Sequence, residues 1–176
     1  MKKVSLISLG LLLAAAQVNA AEASDGTINF TGQINSQTCT VSVNGGPSTN
    51  TVALPAVSSS LLKTAGQTAG ATRFNIDLSD CAVKTGNVFA YFEQGANVNA
   101  NGRLTNTGSA TNVDLQLLDN NSVALNAGST EQSASPLTAA LTDGAATLTY
   151  AAQYFATAAA TSGTVASSVT YSINYL

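Results

Sequence analysis

Apolar and polar residues alternate strictly along residues 27–34, T-I-N-F-T-G-Q-I. Successive side chains of a strand point to opposite faces, so Ile28, Phe30, Gly32 and Ile34 share one side. Thr27, Asn29, Thr31 and Gln33 share the other. The apolar ridge is notched at Gly32, and a glycine inside a strand often marks the close approach of another backbone. The same period returns at residues 37–43 (Cys39, Val41, Val43) and 72–78 (Phe74, Ile76, Leu78). It recurs at 112–118 (Val113, Leu115, Leu117) and 146–155 (Leu148, Tyr150, Ala152, Tyr154). Residues 87–93 are apolar on both sides, with Val88, Ala90 and Phe92 opposite Phe89 and Tyr91, which predicts a strand covered on both faces. Residues 51–54 form a short extended piece stopped by Pro55.

Between these segments lies turn chemistry. Asn44-Gly45-Gly46-Pro47 ends one strand, and Asp119-Asn120-Asn121-Ser122 predicts a tight turn into residues 123–125, a hairpin. Residues 95–102 and 127–136 read as loops. Residues 56–71 are rich in Ser, Ala and Gly and read as loop or a single helical turn. Short strands, frequent turns and almost no helical periodicity predict an all-β sandwich.

The last thirteen residues, T-V-A-S-S-V-T-Y-S-I-N-Y-L, again alternate. Val165, Val169, Tyr171, Ile173 and Tyr175 fall on one face, with Ser167 as the polar exception. No strand follows to pair with this one, and residues 164–176 contain no Lys and no Pro to blunt an edge. Unpaired edges invite pairing with another chain. An unprotected edge at one end and a spare amphipathic strand at the other would satisfy each other by polymerisation.

The first residues carry an address. Lys2 and Lys3 precede an apolar run over residues 4–16, and Val18-Asn19-Ala20 supplies small residues for cleavage, the layout of a secretory signal peptide over residues 1–20. The run is shorter than the roughly 20 residues that span a bilayer. Past residue 20 there remain four basic and nine acidic residues, a net charge of −5. No basic cluster exists to attract nucleic acid or an anionic membrane surface. Two cysteines, Cys39 and Cys81, in an exported chain read as one structural disulfide, formed in an oxidising compartment.

Candidate chemistry is thin. The chain has no histidine, so a histidine-assisted triad is impossible and a metal site or a catalytic thiol lacks partners. Asp77 and Asp80, and Asp114 and Asp119, lie near each other, but at strand ends and turns where solvated Asp is ordinary. No catalytic residue, metal or cofactor is expected. A carbohydrate-binding β-sandwich is the main alternative, although the aromatics mostly fall in phase with strand aliphatics.

Taken together, these features resemble the major subunits of chaperone–usher fimbriae, the type 1 fimbrial pilin family. The features are the signal peptide, the arm with alternating apolar residues and a glycine, and Cys39 soon after it. F-N-I-D-L-S-D-C ending at Cys81, Gly163 fourteenth from the end and the penultimate Tyr175 complete the set. The resemblance implies an incomplete immunoglobulin-like sandwich lacking its final strand and completed by donor-strand exchange, a mode known for chaperone–pilin complexes. It divides the chain into a signal peptide (1–20), a donor-strand extension (21–36) and a pilin domain (37–176). Ile28, Phe30, Gly32 and Ile34 would be the donor face. Gly163 and Tyr175 would belong to the chaperone- and usher-recognition motif, with Val169, Tyr171 and Ile173 on the acceptor edge. The implied partners are neighbouring subunits, a periplasmic chaperone and an outer-membrane usher, with a surface fimbria as the destination. A minor or adaptor pilin would share every one of these motifs.

Overall fold

The computed structural model describes residues 39–134 and 136–176. The predicted signal peptide and donor arm, with Ile28, Phe30, Gly32 and Ile34, lie outside the described residues.

Among the described residues nine strands form two sheets. They are β1 (Thr40–Val43), β2 (Thr68–Ser79), β3 (Gly86–Phe92), β4 (Leu104–Thr105), β5 (Val113–Leu118), β6 (Ala124–Leu125), β7 (Ala139–Leu141), β8 (Ala146–Ala156) and β9 (Tyr171–Tyr175). The larger sheet runs β1-β2-β8-β5-β4, with β6 also on β5; the smaller runs β7-β3-β9. Every pairing is antiparallel.

The alternation seen in the sequence is the cause of the layering. Phe74, Ile76 and Leu78 of β2, Leu148 and Tyr150 of β8, and Val88, Ala90 and Phe92 of β3 all turn inward and are buried. Each large aliphatic among them contributes roughly 1.5–3 kcal/mol of burial. The two sheets are tied through Tyr150. Its ring meets Phe92 edge-on at 5.0 Å between centroids, and its hydroxyl accepts a hydrogen bond from the Ala90 N–H at 3.2 Å.

Several elements differ from the sequence expectation, each for a tertiary reason. Strand β2 starts at Thr68 rather than Thr72, because the long β8 recruits Thr68 and Ala69 as partners across a bulge. Gly70 sits in that bulge at φ +67°, and a Cβ there would stand 3.0 Å from the Tyr154 ring. The turn ahead of it is a short 3-10 turn, Ser59–Leu61. Within the expected loop 127–136 lies a helical turn, α1 (Glu131–Ala134). That turn delivers Gln132, whose side-chain amide accepts from the Phe92 N–H and donates to the Phe92 carbonyl, both at 3.0 Å. A glutamine amide thus stands in for a strand where β7 stops short. Asp114 is not a solvated turn acid. It is buried, at 8% exposure, and its carboxylate accepts from Arg103 at 3.2 Å and from Asn99 at 2.9 Å.

Candidate functional site

The site is the side of the sandwich where β1 and β9 are the edge strands of opposite sheets. From β1 the chain continues through residues 51–57, where Val52, Leu54 and Val57 are half-buried and their neighbours Thr51, Ala53 and Ala56 exposed. Residues 51–54 show a strand pattern, yet among the described residues no backbone–backbone hydrogen bond holds 51–57. The sequence expected an extended piece at 51–54. Pro55 removes a donor and interrupts any ladder, and the alternation slips there: Pro55 and Ala56 are both exposed before Val57 turns inward again.

The facing lip is the C-terminal segment. Residues 164–170 are extended, with Val165, Ser167 and Val169 half-buried and Thr164, Ala166, Ser168 and Thr170 exposed. The ladder with β3 holds only residues 171–175, so the predicted strand of 164–176 is a ladder in its second half alone. Its first half is fastened to residues 106–110. The Ala110 and Thr107 N–H groups donate to the carbonyls of Thr164 and Ala166, and the Ala166 N–H donates to Asn106 Oδ1.

The parity of these bonds fixes what faces the opening. Thr164, Ala166, Thr170 and Leu176 spend backbone groups on the 106–110 and β3 side. Backbone direction alternates along a strand, so Val165, Ser167, Val169, Tyr171, Ile173 and Tyr175 turn theirs the other way. Among the described residues no strand pairs there. The side chains of the same residues point to the core, where five of them pack against the central cluster. They are only half-buried, whereas Ile76 and Leu148 inside the sheet are 1% exposed.

The two lips run antiparallel and meet at three places. At one end the Tyr175 hydroxyl lies 2.9 Å from Cys39 Sγ. Further along, the Tyr171 hydroxyl donates to the Ser48 carbonyl at 2.9 Å. At the far end Leu54, Val57 and Leu62 face Gly163 and Val165 across a cavity of about 380 Å³. Burial raises the pKa of both tyrosines above the ordinary value, so both hydroxyls keep their protons at neutral pH.

Two residues brace this opening. Cys39, just ahead of β1, is disulfide-bonded to Cys81, just past β2, which pins the edge strand to its neighbour beside Tyr175. Gly163 is required by crowding. A Cβ at that position would stand 2.5 Å from the Ala110 nitrogen and 2.8 Å from its Cα. The structure therefore gathers Gly163, Val169, Tyr171, Ile173, Tyr175 and Cys39 along one side of the sandwich. The sequence reading missed the opposing lip, Val52, Leu54 and Val57, together with Leu62. The alternation at residues 51–54 is its only local trace.

The two-sheet antiparallel sandwich is shared with a solved pilus subunit. By shape, the chain superposes on the P pilus rod subunit PapA with a TM-score of 0.60 at 20% identity, covering 78% of this chain and 99% of that one. Residues 54–176 match the family of type-1 fimbrial protein A. The chain is 49% identical over 173 residues to the major fimbrial subunit SMF-1 of Stenotrophomonas maltophilia, covering 93% of this chain and 99% of that protein. It is 44% identical over 183 residues to the F17 fimbrial protein of Escherichia coli, covering 99% of each. The type-1 fimbrial protein A chain of Escherichia coli K12 is 33% identical over 179 residues, at 98% and 95% coverage. The chain belongs to the type-1 fimbrial protein family and is a structural subunit of a fimbria.

Proposed function

We propose that this subunit builds a homopolymeric fimbrial rod by strand insertion, as its major subunit. The arm of one copy, residues 27–34, enters the open side of the next, antiparallel to β9, and supplies the missing strand. Residues 21–36 then act as the extension and residues 37–176 as the domain that receives it. Ile28, Phe30 and Ile34 fill the gap over the core, each contributing roughly 1.5–3 kcal/mol on burial. The observation that carries this reading is the pair of facing lips, residues 51–57 and 164–175, which hold apolar side chains half-buried. Insertion would pair the main-chain edge at 165–175 and bury both apolar rows.

For delivery, the open groove and the family membership support a route through the periplasm. Residues 1–20 direct export, the disulfide forms in the periplasm, and a chaperone lends a strand to the groove until an outer-membrane usher exchanges it for the next arm. The finished fibre stands on the cell surface. The role is that of a building block rather than of an enzyme.

Electron microscopy after release of chaperone-bound subunits tests the proposal. Wild-type subunits should form fibres. Gly32→Leu should keep its fold and its chaperone complex, which this reading assigns to residues 37–176, yet fail to assemble. Its added side chain meets packed atoms at a core-facing position, an overpacking cost of about 1–3 kcal/mol. Phe30→Ala should assemble weakly through lost burial. Normal fibres from Gly32→Leu would overturn the reading.

A further inference from the structure

Ser167 breaks the apolar row of the C-terminal lip. It lies between Val165 and Val169 on the core-facing side. Its Oγ is the one buried side-chain polar atom without a hydrogen-bond partner among the described residues. Buried hydroxyls nearly always have partners, so a strand laid into the opening must leave this one satisfied.

The arm has one break of its own. Of its four core-facing positions, Ile28, Phe30 and Ile34 are large and apolar and Gly32 has no side chain. Both rows must turn inward, so neighbouring registers differ by two residues, since a slip of one would turn the arm's apolar residues outward. A strand rises about 3.3 Å per residue, so residues 28–34 span the same length as 165–171.

We infer that Ser167 is the register-determining residue for strand insertion, with Gly32 of the incoming arm opposite Ser167. This inference rests on the strand-insertion reading and deepens it. In this register Ile34 faces Val165 beside the 380 Å³ cavity, Phe30 faces Val169 and Ile28 faces Tyr171. The arm's apolar residues end there, short of the far end where Tyr175 already reaches Cys39. Opposite a glycine, the hydroxyl is not covered by a side chain and reaches the arm's main chain. A slip of two residues in one direction covers it with Phe30 and sets Gly32 against Val165. A slip in the other direction covers it with Ile34 and sets Gly32 against Val169. Either slip leaves a polar group under an apolar side chain and a gap beside a valine, so the one polar break in each row selects a single alignment.

Paired cysteines in the full chain first test the register with Ser167 and Gly32 unchanged. Fibres of Ile34→Cys/Val165→Cys and Phe30→Cys/Val169→Cys should give a ladder of disulfide-linked subunits on unreduced gels after boiling. Ile28→Cys/Val169→Cys and Phe30→Cys/Tyr171→Cys, which report the two slipped registers, should not. Adding Ser167→Val to the Phe30→Cys/Tyr171→Cys chain should raise the slipped product roughly tenfold, since the buried hydroxyl no longer opposes that alignment. Ladders confined to the slipped pairs would overturn the register while leaving strand insertion intact. A slipped fraction unmoved by Ser167→Val would overturn the role of Ser167. Absence of any ladder in fibres that still form would overturn strand insertion and the register together.

Discussion

The hydroxyl of Tyr175 lies 2.9 Å from Cys39 Sγ, joining the edge strand of one sheet to the disulfide that anchors the edge of the other. Four residues earlier, Tyr171 makes the parallel reach to the Ser48 carbonyl. Both are tyrosine hydroxyls crossing the open side of the sandwich. Tyr175→Phe and Tyr171→Phe should each lower stability by about 0.5–1.5 kcal/mol, the net worth of one hydrogen bond. Urea unfolding measures it, with an unchanged denaturant slope as the sign that the fold is retained.

Gly163→Ala tests whether this glycine is there for space. Its Cβ would collide with the backbone of Ser109 and Ala110, and a backbone cannot swing aside as a side chain can. The expected loss is about 1–3 kcal/mol, together with weaker fibre formation because the cavity beside Val165 shifts. A melting temperature equal to wild type would contradict the packing argument.

Reduction of Cys39–Cys81 frees the β1 edge. The two residues are 42 apart in sequence, and by the chain-entropy model the bond contributes about 4 kcal/mol. Thermal melts with and without dithiothreitol should separate clearly. Thiol titration of the denatured, unreduced protein should find no free cysteine.

A second copy of residues 26–36 added after Leu176 through a flexible linker should close the sandwich in cis. The apolar row along Val165, Val169, Tyr171 and Ile173, now half-buried, would become fully covered. The expected outcome is a large rise in melting temperature and loss of polymerisation. Equal stability of the extended and unextended chains would show that the open side needs no closing strand.

The pH profile should be flat through neutrality and fall on the alkaline side. There is no histidine to titrate near pH 6–7. Burial raises the pKa of Tyr150, Tyr171 and Tyr175 in the folded chain above the ordinary 10.0. Their contribution is fully present below pH 10 and is lost as pH rises from there through the folded values, because the unfolded chain gives up those protons first. Melting temperatures from pH 7 to 11 check this, and Tyr150→Phe should shallow the alkaline fall.

The sequence by itself determined the inner strands, because side-chain alternation is local and Phe74-Asn75-Ile76-Asp77-Leu78 can bury its apolar residues in only one way. It also carried the Asp119 turn, since two N–H groups of that loop bond to the Asp119 carboxylate itself. The extra residues of β2, the helical turn at Gln132 and the burial of Asp114 came from partners far along the chain: β8, Phe92 and Arg103. No local pattern encodes those distances. The open side was half legible. The row from Val165 to Tyr175 stands in the sequence, but residues 51–57 pair with nothing in the described chain and are broken by Pro55, so only the tertiary structure made them the opposing lip. The unpartnered hydroxyl of Ser167 was likewise decided there. In the sequence it is one polar residue in an apolar row, and whether such an atom is satisfied depends on what the fold brings within reach.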